Sequence, residues 1–404
     1  MLERFDLEKT YQYLLIALAF LMPLTVSGAN IIIVFICFLW LFSGDYIAKY
    51  HQIMSSKLMI ASILFYCLHV VGMLWTEDLQ WGLHILHKMW YFLLFFPILF
   101  NIVKRKYIKY YVISFLLAIA LTEIVSYLIW FEVIEPFKNA TVKNPTPFMT
   151  HISYNPILIF SIYLVLHEIF LNKKLTNLVF SFYSFFGISM SINMFITGGR
   201  AGQVGFFVMI AILIFQIFDK ERMKSLLVII IVIPAIFFIA YQSSDLFEKR
   251  VDKAIIQTLQ YDITASSSSN NNPLGLRLNF AQNSLEVFAQ NPIVGVGTGD
   301  FPSEYNKINQ INSPHLPKTT NPHNMYTLIA MQFGLVGLVS MLSIFYYQIK
   351  LSFSSSNKLI QNLGLTLPIV FLVIMLSDSY LLGHFTTLFF VFFSSFLYKD
   401  FEKS

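Results

Sequence analysis

The chain has 404 residues, of which 56% are hydrophobic and only 12% charged, against about 25% charged in an ordinary soluble domain. With 42 Phe and 21 Tyr beside so few charges, a water-soluble globule is excluded because too much apolar surface would face water. Lipid is the solvent, and the disordered, collagen-like and disulfide-scaffold classes fall with the same numbers. A formal charge of +5 does not imply nucleic acid, since in a membrane protein the placement of Lys and Arg carries the information.

Each crossing takes about 20 mostly apolar residues. Apolar runs between charged breaks predict about twelve spans, at residues 11–27, 30–48, 58–75, 89–103, 108–131, 153–171, 177–197, 201–218, 225–241, 324–349, 359–377 and 384–398. The expected fold is therefore an all-α polytopic membrane protein. Residues 1–241 hold the first nine helices, 242–322 one large outer loop, and 323–404 the last three. Residues 14–26 followed by Ser27-Gly28-Ala29 imitate a cleavable signal. An uncleaved first span is the preferred reading, because a second apolar run starts at Ile31.

Most of the 27 Lys and Arg fall in the segments that share a side with the N-terminus, including Lys104, Arg105, Lys106, Lys109, Lys220, Arg222 and Lys224. The positive-inside rule then puts both termini in the cytoplasm. Cys37 and Cys67 lie in apolar runs, so neither a disulfide framework nor a cysteine metal site is expected.

The smaller outer segment runs from Trp75-Thr76-Glu77-Asp78 to His87, with Trp75 and Trp81 suited to an interfacial belt. The large outer loop divides into four parts. A mixed-charge stretch covers 243–263, and a Ser/Asn linker 266–272. An amphipathic helix follows at 274–290 with Leu274, Leu278, Leu285 and Phe288 on its apolar face, suited to the membrane surface. A Gly/Pro-rich region runs on to Pro322. Gly295-Val296-Gly297-Thr298-Gly299-Asp300 imitates a nucleotide loop but lacks the preceding strand and the Lys-Ser/Thr pair, so it is a turn.

Three groups are suited to chemistry. Thr197-Gly198-Gly199-Arg200-Ala201-Gly202-Gln203 breaks two apolar runs and puts Arg200 at the membrane edge, either as a ligand-binding fork or as an anchor to lipid phosphates. Asn321-Pro322-His323-Asn324-Met325-Tyr326 closes the large loop. Pro322 suits the first helical position, which would place His323 in the first turn at the positive end of the dipole, as phosphate partner, general base or plain interfacial cap. Arg277 in Gly275-Leu276-Arg277-Leu278-Asn279 offers a second planar fork, or is a solvated helix residue. Asp378 and His384 flank the last outer turn, Lys88 precedes the fourth span, and Glu123 faces either the bundle interior or the outer interface. No His-x-x-x-His pair, acidic metal cluster or serine nucleophile motif stands where chemistry needs it, so no metal and no cofactor are expected.

Gly199-Arg200-Ala201-Gly202, Leu276-Arg277-Leu278, Asn291-Pro292-Ile293-Val294-Gly295-Val296-Gly297, and Pro322-His323-Asn324-Met325-Tyr326 with Gly334-Leu335-Val336-Gly337 together resemble the bacterial O-antigen ligase family. The resemblance implies a glycosyltransferase of the bacterial inner membrane, with the large loop and the site facing the periplasm. Its expected donor is a glycan on undecaprenyl diphosphate and its acceptor a sugar hydroxyl of lipid A-core, among membrane lipids and without nucleic acid. Arg200, Arg277 and His323 would act at the diphosphate, with Asn324, Asp378, His384 and Lys88 as further substrate-binding candidates. O-antigen polymerases and protein O-oligosaccharyltransferases share the signature and are the nearest alternatives, and a polysaccharide flippase is the alternative from another class. Nothing in the sequence specifies the sugars or the oligomeric state.

Overall fold

The computed structural model describes residues 6–138, 140–172, 174–259 and 271–401. Among these the structure is all-helical apart from one isolated bridge between Thr141 and Asn144. In chain order the helices are α1 (Leu7–Leu21), α2 (Val26–Phe42), α3 (Tyr46–Ser55), α4 (Lys57–Gly72), α5 (Leu79–Trp90), α6 (Phe96–Ile102), α7 (Ile108–Trp130), α8 (His151–Leu171) and α9 (Asn177–Ile196). They continue as α10 (Arg200–Ile217), α11 (Arg222–Ser243), α12 (Asp245–Leu259), α13 (Pro273–Gln290), α14 (Phe301–Asn312), α15 (Met325–Ser354), α16 (Lys358–Ile374) and α17 (His384–Leu397).

The protein is a multi-pass membrane protein. Among the described residues eight helices are long and apolar enough to cross a bilayer, or nine when α2 and α3, bent by 117°, are taken as one broken span. The other three expected spans are the shorter helices α1, α16 and α17, of 15, 17 and 14 residues. At 1.5 Å per residue a 14-residue helix reaches only about 21 Å, less than a bilayer core. The reason is visible in the packing: α17 is a central strut, with every residue from Thr386 to Leu397 buried. Phenylalanine fills the space around it. Phe393 stands 5.0 Å from Phe160 and 5.1 Å from Phe115, and Phe390 stands 4.8 Å from Phe371. By contrast α11 buries only Ser225 and Ala240, so it is a peripheral helix whose other side chains suit lipid.

Several boundaries differ from the sequence expectation. Leu79–Ile102 forms one continuous helical path through a π-helical turn at Tyr91–Phe95, so residues 79–87 are helix rather than connecting segment. In the large loop α12 covers most of the mixed-charge stretch, while the 260–270 part of that stretch and of the expected Ser/Asn linker lies outside the described residues. The 274–290 helix is present as α13, but Leu278 and Leu285 are exposed. Its buried face is Gly275, Asn279, Phe280, Asn283, Ser284 and Val287. Polar residues turn inward because Asn283 meets Tyr305 and Asn309 of α14, and the Asn279 amide donates to the Gly275 carbonyl.

The 292–297 segment explains the interruption of α15. Gly334 has φ 61° and ψ −150°, a conformation that breaks the helix. Its freed groups are taken up by that segment. The Leu335 and Val336 amides donate to Pro292 and Ile293, while the Val296 and Gly297 amides donate to Met331 and Gln332. Beyond it, Asp300 accepts from the Glu77 and Asp78 amides at 2.8 and 2.9 Å, and Thr298 donates to the His69 carbonyl. The Gly-rich stretch is thus a structural turn that ties α15 to the corner between α4 and α5. Glu123 faces the interior, where Ser189 of α9 donates to it.

Candidate functional site

The ends of α9 and α16 and the starts of α8, α10, α15 and α17 lie at one end of the bundle, and the candidate residues gather there. Arg200 is the first residue of α10, set by a turn that only glycine permits. Gly199 has φ +114°, and a Cβ there would stand 2.7 Å from the Asn155 amide. A Cβ on Gly202 would come within 2.3 Å of Asn155 Cβ. Asn155 of α8 fixes the turn by donating to the Gly198 carbonyl and accepting from Thr197 Oγ1 at 3.1 Å. From the 131–150 connection, Asn144 Oδ1 accepts from the Gly198 amide at 2.8 Å, and its amide meets His151 Nδ1 at 2.8 Å.

Two more arginines face Arg200. Arg277 projects from α13, near enough for the two charges to interact. Phe280, one turn further along the same face, lays its ring against His323 with centroids 6.3 Å apart. The same helix therefore brings Arg277 and the His323 support together. Arg250 of α12 is also within electrostatic range of Arg200, with its Nη2 2.8 Å from where a Cβ on Gly198 would stand. Burial first, then the Arg200 charge, hold its proton affinity below the ordinary arginine value. Among the described residues no carboxylate lies within ion-pairing distance of Arg200, Arg250 or Arg277. The arrangement is a cluster of guanidinium groups at one end of the bundle.

His323 does not open a helix as the Pro322 signal suggested. Its φ is +51°, which no helical turn accommodates, and α15 begins two residues later with Asn324 as N-cap. Asn324 Oδ1 accepts from the Thr327 amide at 3.1 Å, the better cap chemistry. The strained backbone at His323 is held by its amide donating to Asn321 Oδ1 at 2.9 Å. The motif is laced to the end of α16: Asn324 Nδ2 donates to Leu376, Met325 N–H to Met375 and Tyr326 Oη to Leu372.

Asp378 closes this cluster. Its Oδ2 stands 3.4 Å from His323 Nδ1, and its Oδ1 accepts from the Ser379 amide at 2.7 Å and from Asn321 Nδ2 at 3.3 Å. Burial pushes the carboxyl up, but His323, the Ser379 amide and the Arg277 charge outweigh it and hold Asp378 below the usual carboxylate value. A cavity of about 270 Å³ opens beside Asp378. Lys88, Asn321, Gln332, Tyr380, Trp81 and Phe301 help line it. The structure thus joins Lys88 and Asp378 on one cavity, next to His323. His384 is turned elsewhere, with Nδ1 2.6 Å from Tyr91 Oη.

Arg250, Asn144, Asn155 and His151 escaped the sequence reading. Arg250 had one legible signal: Phe247 and Val251 flank it at helical spacing on the face of α12 that packs. Asn144 and Asn155 gave none, because the Gly198 backbone groups they hold are more than forty residues away in sequence.

Residues 185–342 match the family model described as O-antigen ligase. The stretch is thus similar to the O-antigen ligase family, the one the motifs resemble. It contains Arg200, Arg250, Arg277 and His323, whereas Lys88, Asp378 and His384 lie outside it. A protein of Haemophilus influenzae, described as uncharacterized, is 28% identical over 212 residues, 50% of this chain and 51% of that relative. The chain thus matches about half the length of that relative.

Proposed function

We propose that the protein is an O-antigen ligase, a glycosyltransferase that moves a glycan from undecaprenyl diphosphate to a sugar hydroxyl of lipid A-core. The observation that carries this reading is the convergence of Arg200 and Arg277, without carboxylate partners among the described residues, beside the His323–Asp378 pair. A diphosphate leaving group needs preorganised positive charge as the glycosidic bond breaks. Two guanidinium forks suit its paired phosphates. The amides at the start of α10 add the positive end of a helix dipole.

In this reading the acceptor oxygen attacks the anomeric carbon from the face opposite the diphosphate, and the configuration inverts. His323, oriented by Asp378 at Nδ1, takes the acceptor proton at Nε2. The cavity that holds Lys88, Asn321 and Trp81 receives the acceptor sugar, with polar groups for its hydroxyls and an aromatic ring for its apolar face. The positive-inside count supports putting this end of the bundle on the periplasmic face of the inner membrane, with both termini in the cytoplasm.

The test is transfer by purified protein from a lipid-linked donor to lipid A-core. Wild-type turnover by Arg200→Ala and Arg277→Ala, or a strict requirement for added divalent metal, refutes the scheme. A deletion strain separates the related activities. Free lipid-linked polymer with bare core marks a ligase, core capped by a single repeat marks a polymerase, and an unmodified secreted protein marks a protein-glycosylating enzyme.

A further inference from the structure

Arg250 lies outside every motif that carries the family resemblance, yet its guanidinium stands against the Gly198-Gly199 turn. Nη2 and Nη1 lie 2.8 and 3.3 Å from the position a Gly198 Cβ would take. Any side chain at 198 would crowd that space, so the bare glycine admits the guanidinium. Phe247, three residues earlier and 3% exposed, anchors the same face of α12 against Phe195 of α9, ring centroids 5.1 Å apart. The guanidinium is half-buried beside the like charge of Arg200, with His151 also within electrostatic range. Among the described residues no carboxylate pairs with it. Holding like charges together in a partly desolvated place is costly unless an anion completes the site.

We propose that Arg250 is a third diphosphate-binding arginine, whose contact strengthens as the glycosidic bond breaks. The proposal rests on the glycosyl-transfer reading above. In the donor, the diphosphate joins sugar to lipid and carries two negative charges. When the C1–O bond breaks, its electron pair stays on the phosphate oxygen. The acceptor oxygen forms the new bond to C1, and its proton passes to His323. The departing terminal phosphate is then a monoester whose second ionisation lies near pH 6, so the leaving group approaches a third negative charge at neutral pH. Arg200 and Arg277 balance the donor. Arg250 answers the charge that appears on departure, and an interaction of that kind accelerates the reaction rather than merely tightening binding.

The experiment uses the full-length protein in detergent with lipid-linked donor and core acceptor. Arg250→Ala is expected to lower kcat about 10- to 1000-fold, with the donor KM changed less than about threefold. It should weaken inhibition by undecaprenyl diphosphate more than inhibition by undecaprenyl monophosphate. Unchanged kcat in Arg250→Ala while Arg200→Ala is inactive overturns the assignment and leaves the reaction standing. A change confined to KM overturns the role in departure. Wild-type turnover in both Arg200→Ala and Arg277→Ala overturns the reaction itself. Should Arg250→Ala fail to accumulate, Gly198→Ala displaces the guanidinium without removing it and is expected to show the same loss of kcat; wild-type kcat in that variant overturns the proposal.

Discussion

Replacing Gly334 by alanine tests the claim that the 292–297 segment holds the broken helix in place. An added Cβ would stand 2.3 Å from Ile293 C, 2.4 Å from Ile293 O and 2.6 Å from Pro292 O. All three are backbone atoms, so no side-chain rotation relieves the clash. Two costs add. Holding alanine at φ +61° costs about 1–2 kcal/mol. Pushing the segment away breaks the bonds of Leu335, Val336, Val296 and Gly297 to Pro292, Ile293, Met331 and Gln332, at about 1 kcal/mol each. The sum is about 5 kcal/mol. Gly44→Ala is the control, since Gly44 has φ +70° but nothing within 4 Å of its added Cβ, leaving only about 1 kcal/mol of strain. Thermal unfolding of the purified protein in detergent is the assay. On the scale of about 2 °C per kcal/mol for larger domains, Gly334→Ala should melt roughly 10 °C lower and Gly44→Ala within about 3 °C of wild type. Equal melting of Gly334→Ala and Gly44→Ala would show that the 292–297 segment does not brace the helix.

Three other outcomes are expected. Arg200→Lys should lose at least about tenfold in transfer at unchanged melting temperature, because an ammonium cannot reproduce bidentate phosphate contacts; near wild-type turnover would leave Arg200 a plain charge. Gly202→Ala should lower both melting temperature and activity, as its Cβ would meet Asn155 Cβ at 2.3 Å, and a neutral result would mean the turn is not braced by α8. Asp378 is held below its usual value of 3.8, so its charge stabilises the fold above the unfolded value, and that contribution is lost as pH falls through the lower folded value. Wild type and Asp378→Asn should therefore differ in unfolding temperature at about pH 5, with the gap closing as the pH falls below about 4; a gap that persists undiminished at about pH 2 would contradict this.

The Arg200 turn was legible because two adjacent glycines and an arginine between apolar runs leave few alternatives for the backbone. The structure adds what holds it, namely Asn144 and Asn155 from segments more than forty residues away. The Pro322 signal misled by three residues: a helix can begin at proline, but the capping side chain of Asn324 and the left-handed backbone of His323 start it later. For α13 the leucine spacing pointed to one face, while packing against α14 buried another, since paired asparagines satisfy each other there. Arg250 sat in a stretch that looked like ordinary solvated charge.

Composition and period alone determined that lipid is the solvent, that the chain is all-helical and multi-pass, and that a small set of basic residues lies apart from the orienting charges. These follow from local properties: hydropathy, helical period and the conformations open to glycine. The tertiary structure decided which cations meet. Arg250 and Arg277 come to Arg200 on helices separated from it by dozens of residues, and Asp378 reaches His323 from beyond α16. Such meetings depend on packing and closure of long loops, which no local pattern in the chain records.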